Sequence, residues 1–75
     1  MTTKNIISNF KELCISRREL VQKDSKYDFC TMYSFLGGYI EAIGDMIVTM
    51  DLDIALDLLY ELENIKETYF TNHFR

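Results

Sequence analysis

The sequence predicts an all-α protein, a three-helix antiparallel bundle that self-associates through its central helix. Three observations predict it. Apolar residues recur at steps of three and four along three long stretches, which is the period of one helix face. The 75 residues contain no proline, and the three glycines fall only in the middle of the chain. No stretch alternates apolar with polar residues, and no Asn-Gly or Asp-Gly hairpin turn occurs, so strands have no support.

A chain of this length forms one domain, residues 1–75, and buries only about 60% of its unfolded surface. Association with a copy or a partner is a natural source of further stability. Cys14 and Cys30 form no CxxC pair or disulfide framework and read as reduced thiols. No secretory leader and no run long enough to span a bilayer is evident. The expected location is therefore the cytoplasm.

Helix 1 is expected over about 4–23, after a cap at Thr2 or Thr3. Ile6, Phe10, Leu13, Leu20 and Val21 face one way, flanked by Ile7 and Cys14. Arg17 falls inside that stripe. Either Ser16-Arg17-Arg18-Glu19 is a capping box that breaks the helix, or Arg17 turns inward to pair with Glu41 or Asp45, since a core does not hold an unpaired arginine. The polar run 24–28 reads as a turn, with Asp28 as the cap of the next helix.

Helix 2 is expected over about 29–49. Phe29, Tyr33, Leu36, Ile40, Ile43, Ile47 and Met50 make an unbroken seam, and Met32, Phe35, Tyr39, Ala42 and Met46 make a second stripe beside it. Such a helix should be covered on two sides, as the middle member of the bundle. Its remaining face is small rather than charged: Cys30, Ser34, Gly37, Gly38, Glu41, Gly44 and Asp45, with Val48. A helical glycine costs about 0.5–1 kcal/mol relative to alanine, so three within eight residues point to close helix approach and mark this face for self-association. The alternative is a break at Gly37-Gly38; the seam keeps its phase through it, which favours one helix.

Helix 3 is expected over about 52–70, capped by Asp51 or Asp53. Ala55, Leu58, Leu59, Leu62, Ile65 and Tyr69 form its buried stripe, supported by Leu52. Its other side carries Asp53, Asp57, Glu61, Glu63 and Glu67, with Leu56 and Tyr60 four apart among them. Asp53, Leu56, Asp57, Tyr60, Glu63 and Glu67 are the candidate partner-binding residues, an apolar pair ringed by carboxylates that suits a basic protein surface. The tail 71–75 is expected to be mobile.

The net charge is −4, unevenly spread. Residues 1–28 hold six cations against four carboxylates, and residues 29–75 hold two against eight. The acidic balance disfavours nucleic acid as the main ligand. Nothing supports catalysis or a cofactor. His73, the sole histidine, lies at the chain end without a second histidine or a nearby cysteine, so neither a triad nor a metal site can be built on it. Gly37-Gly38 lacks the Lys and Ser/Thr of a phosphate loop, and the acids of helix 3 face outward without Glu-x-x-His pairs.

In its small size, acidity, helical pattern and abundance of Asn, Ile, Lys and Tyr, the chain looks like products of AT-rich phages and mobile elements, such as small inhibitors of host defence. That likeness implies a host-cytoplasmic inhibitor or regulator that occupies the surface of a defence or nucleic-acid-handling protein. The alternatives are a dimeric DNA-binding transcriptional regulator using Arg17 and Arg18, and a small-ligand-sensing or purely structural oligomer.

Overall fold

The computed structural model describes residues 3–24, 26–47, 49 and 51–74, His73 and Phe74 by backbone alone. Three helices follow in order: α1 (Thr3–Lys23), α2 (Phe29–Ile47) and α3 (Leu52–Tyr69). Residues Met50, Val48 and Thr2, to which the sequence assigned a seam, a face and a cap, lie outside the described residues.

The helix ends follow from side chains that take up free backbone groups. Past α1, the Asp24 carboxylate accepts from the Lys26 N–H at 2.9 Å, and the Asp24 carbonyl accepts from Tyr27 N–H at 3.1 Å. Asp28 caps α2 as expected, accepting from Thr31 N–H at 2.8 Å and from the Thr31 hydroxyl at 2.7 Å. These bonds, the hydroxyl's first, hold the Asp28 carboxyl below its usual pKa. Asp51 caps α3, accepting from Asp53 N–H at 3.0 Å and Ile54 N–H at 3.2 Å. Such satisfied first-turn donors are what an Asn, Asp or Ser cap supplies.

The cross-helix pairs give the direction of each helix. Phe10 stacks on Tyr39 while Arg17, further along α1, lies over Phe35, so α1 and α2 are antiparallel. Phe29 stacks on Phe70 at 5.1 Å, Tyr33 meets Glu67, and Gly44 meets Leu59, so α2 and α3 are antiparallel too. Phe10, Cys14, Leu36, Leu62 and Phe70 are wholly enclosed at the centre. Burial pushes the Cys14 thiol up to about 12, with the nearby Lys66 charge working the other way; it is an inert core thiol.

The structure corrects several expectations. The middle member of the bundle is α3, which makes the two largest interfaces, whereas α1 and α2 meet only narrowly. The second stripe of α2 is therefore largely uncovered: Phe35, Tyr39, Ala42 and Met46 are exposed and Met32 is half-buried. Helix α1 runs unbroken through Ser16–Glu19, and α2 through Gly37-Gly38. Leu52 is exposed rather than supporting the core. The segment Thr71–Phe74 forms a 3-10 turn and packs on α3, because the fully buried Phe70 anchors it.

Candidate functional site: a carboxylate-rimmed groove between α2 and α3

The groove begins with a glycine. A Cβ built on Gly44 would lie 3.0 Å from Leu59 Cδ2 and 3.2 Å from Cδ1, tighter than ordinary contact. Glycine lets Leu59 seat directly on the α2 backbone, and Gly44 is buried there. A cleft of about 500 Å³ lies beside this contact. Its floor is Ile40, Gly44 and Leu59; its walls are Glu41 and Asp45 from α2 and Tyr60 and Glu63 from α3.

The walls are accessible. Glu41, Asp45 and Glu63 are exposed, and Tyr60 is 73% exposed, the most exposed large apolar side chain among the described residues. Tyr60 stands on a ridge and also lines a second, acidic depression with Asp57 and Glu61. Leu56, 55% exposed, lies one turn before Tyr60 on the same side of α3.

Below the groove a polar cluster fixes the α2–α3 contact. Lys66 is 5% exposed, lies 4.2 Å above the Tyr33 ring and pairs with Glu63 at 3.0 Å. The Tyr33 hydroxyl donates to Glu67 Oε1 at 3.1 Å. Burial works against the Lys66 charge, but the bonds to Glu63 and Tyr33 outweigh it and hold its pKa above the usual lysine value. Sequence reasoning missed Lys66. Its position, one after Ile65 and four after Leu62, was the available signal, because a long apolar stem there can run along the core to a charge held by Glu63 and Tyr33.

The structure sorts the expected site residues. Glu41, Gly44 and Asp45, assigned to self-association, and Tyr60 and Glu63, assigned to partner binding, converge on one groove. Asp53, Leu56 and Asp57 are exposed along the same helix as Tyr60. Glu67 is half-buried and engaged by Tyr33, so it serves the fold more than a partner. Gly44 likewise packs inside the chain. Cys30, Ser34 and Gly38 are exposed and Gly37 half-buried, and a Cβ on Gly37 or Gly38 would meet nothing within 4 Å.

The inward pairing of Arg17 with Glu41 or Asp45 is not formed. Arg17 is half-buried with its guanidinium 5.1 Å from the Phe35 ring centre, on the flank of α2 that faces α1, while both carboxylates are exposed toward α3. The ring face takes the place of a counter-ion. Arg18 donates to the Tyr69 carbonyl at 3.4 Å, and Lys11 lies 4.6 Å from the Tyr69 ring. The two arginines on which duplex binding would rest are thus engaged within the fold.

Among the described residues, no three His, Cys, Asp or Glu side chains gather closely enough to hold a metal ion. No described helix is long and apolar enough to cross a membrane. Neither a protein-family model, nor a curated protein, nor a solved structure matches the chain.

Proposed function

We propose that the protein is a binding module that acts by occupying a partner protein's surface, taking a cationic amphipathic segment into the α2–α3 groove. One observation carries this reading: an apolar floor and an exposed tyrosine sit inside a rim of carboxylates. Carboxylates alone would be a solvated face. The uncovered Tyr60 and Leu56 beside them offer the aromatic and aliphatic anchors that binding sites use, and the rim supplies steering and register for lysine and arginine. Proteins that handle nucleic acid carry basic surfaces because they must hold phosphate, so they are the class of partner whose surface this groove complements. Occupying such a surface inhibits or regulates its owner without any chemistry by the module itself.

The test uses a lysine- and leucine-rich amphipathic helical peptide as probe, titrated by calorimetry. Binding is expected at low salt, weakening as salt rises. Reversal of Glu41, Asp45 and Asp57 to lysine should weaken it at least tenfold, while Phe35→Ala on the opposite flank should leave it unchanged. Binding that survives the reversal, or no binding at low salt, overturns the reading.

A further inference from the structure

The α2–α3 groove has a neighbour across Tyr60. A second depression of about 460 Å³ is lined by Asp57, Glu61, Asn64, Ile65, Thr68 and Tyr69, with Tyr60 at its edge. Tyr60 is the one residue that lines both hollows, so its exposed ring is the wall between them. Leu56 and Leu52 continue from it at steps of four toward the start of α3, 55% and 56% exposed. Residues at that step are neighbours on a helix surface. The three therefore make an apolar strip of two turns, about 12 Å long.

Each side of the strip carries two carboxylates four residues apart. Glu41 and Asp45 stand on the α2 side, and Asp57 and Glu61 on the other. All four are exposed, and among the described residues none of them forms an ion pair. Like charges at this spacing weaken a helix slightly, and a cation set between them turns that cost into a gain. The chain's own cations near the two hollows are engaged elsewhere. Lys66 pairs with Glu63 at 3.0 Å, and Lys11 lies 4.6 Å from the Tyr69 ring centre. They answer Glu63 and Tyr69 and leave both carboxylate pairs around Tyr60 unanswered.

Resting on the groove reading above, we infer that the partner's segment is an amphipathic helix laid along the first half of α3, with basic side chains in two rows. Its apolar seam sits on Leu52, Leu56 and Tyr60. One basic row reaches Glu41 and Asp45, the other reaches Asp57 and Glu61, and Tyr60 stands between the rows. Charge complementarity selects this occupant. A second copy packed on the same face by a two-fold would set these carboxylates against themselves. A segment basic along one edge only would cover the other pair without answering it. A helix flanks its apolar seam with side chains on both sides, whereas a strand sends alternate side chains to opposite faces. Lysines or arginines four apart on a helix are offset by about 6 Å along its axis, the same step as the carboxylates they meet.

The probe is a helical peptide with a leucine seam and a row of lysines on each flank, titrated by calorimetry at low salt. Asp57→Asn with Glu61→Gln should weaken binding roughly fivefold, and Glu41→Gln with Asp45→Asn by a similar factor, as for two exposed ion pairs. Tyr60→Ala should weaken it about tenfold, as the loss of a central aromatic anchor does. Glu12→Gln with Glu19→Gln, exposed on α1, makes the same change in net charge and should have no effect. A peptide with one lysine row changed to glutamine should respond to one carboxylate pair and not to the other. Binding that responds to the Glu41 and Asp45 pair but ignores Asp57, Glu61 or Tyr60 overturns the two-row seating and leaves the groove reading standing. Binding that ignores Glu41 and Asp45 overturns the groove reading itself. Equal weakening by the α1 pair assigns the effect to net charge and overturns both.

Discussion

The two flanks of α2 differ in how far the fold covers them. On the α3 side, Leu36, Ile40 and Gly44 are buried, Leu59 touches the α2 backbone, and carboxylates ring the opening. On the α1 side, Phe35, Tyr39 and Met46 remain partly exposed, with Arg17 over the Phe35 ring and Phe10 stacked on Tyr39. Periodicity places both stripes on one helix but does not say which of them a neighbour will cover. At Gly44 the Leu59 side chain reaches the α2 backbone, where a Cβ would stand 3.0 Å from it. What remains uncovered is a carboxylate-rimmed groove on one flank and a partly exposed apolar strip on the other.

One residue from each flank offers the sharpest contrast. Leu36 is fully enclosed, and Leu36→Ala should cost about 2–5 kcal/mol by urea denaturation, the range for a buried leucine that leaves a cavity. Met46→Ala should leave the isolated chain's stability within about 0.5 kcal/mol, as for a surface change. Equal costs would mean that both stripes are covered and would break the comparison.

The glycines divide in the same way. Gly44→Leu forces volume against Leu59 and should destabilise by about 1–3 kcal/mol, with the α2–α3 contacts loosened first in amide exchange. Gly38→Ala, whose Cβ meets nothing, should stabilise the folded chain by about 0.5–1 kcal/mol through helix propensity. A loss at Gly38, measured under conditions where the chain is monomeric, would show a hidden intramolecular contact there.

Alkali acts on the covered side. Cys14 has a folded pKa of about 12 against an ordinary 9.0, and the Lys66 pKa is raised above 10.5. Both groups hold their protons more tightly folded than unfolded. Their contribution is complete below the ordinary values and is lost as pH rises through the folded ones. The thermal midpoint should therefore fall from about pH 9 upward, and Cys14→Ala should flatten the first part of that fall. A midpoint that does not change across this range would contradict the burial of both groups.

Much of the fold was legible in the chain. The three helices begin and end within about two residues of the expected bounds, which is ordinary uncertainty for helix ends. The reason is local: Asp28 and Asp51 carry their capping function in their own side chains, and the phase of the apolar seam passes through Gly37-Gly38 without a slip. Arrangement was less legible. Sequence gave α2 the middle place because it is the greasiest helix, but α3 takes it, with the buried Lys66 stem filling what reads as a polar gap in its stripe. Phe70 looked like the end of a helix and is a core anchor that holds the 3-10 turn. The candidate site was half legible. Its residues were found, but under two separate headings, because only the α2–α3 contact reveals that Glu41 and Asp45 stand across one groove from Tyr60 and Glu63.

The proposed seating of a cationic segment in the α2–α3 groove is tested most directly by following backbone amide shifts by NMR while the cationic amphipathic peptide is added. The account predicts that Glu41, Gly44, Asp45, Tyr60 and Glu63 move together in a salt-dependent way, while Gly38, Tyr39 and Met46 stay in place. Shifts centred on Tyr39 and Met46, or spread evenly over the acidic residues of the whole chain, would contradict it.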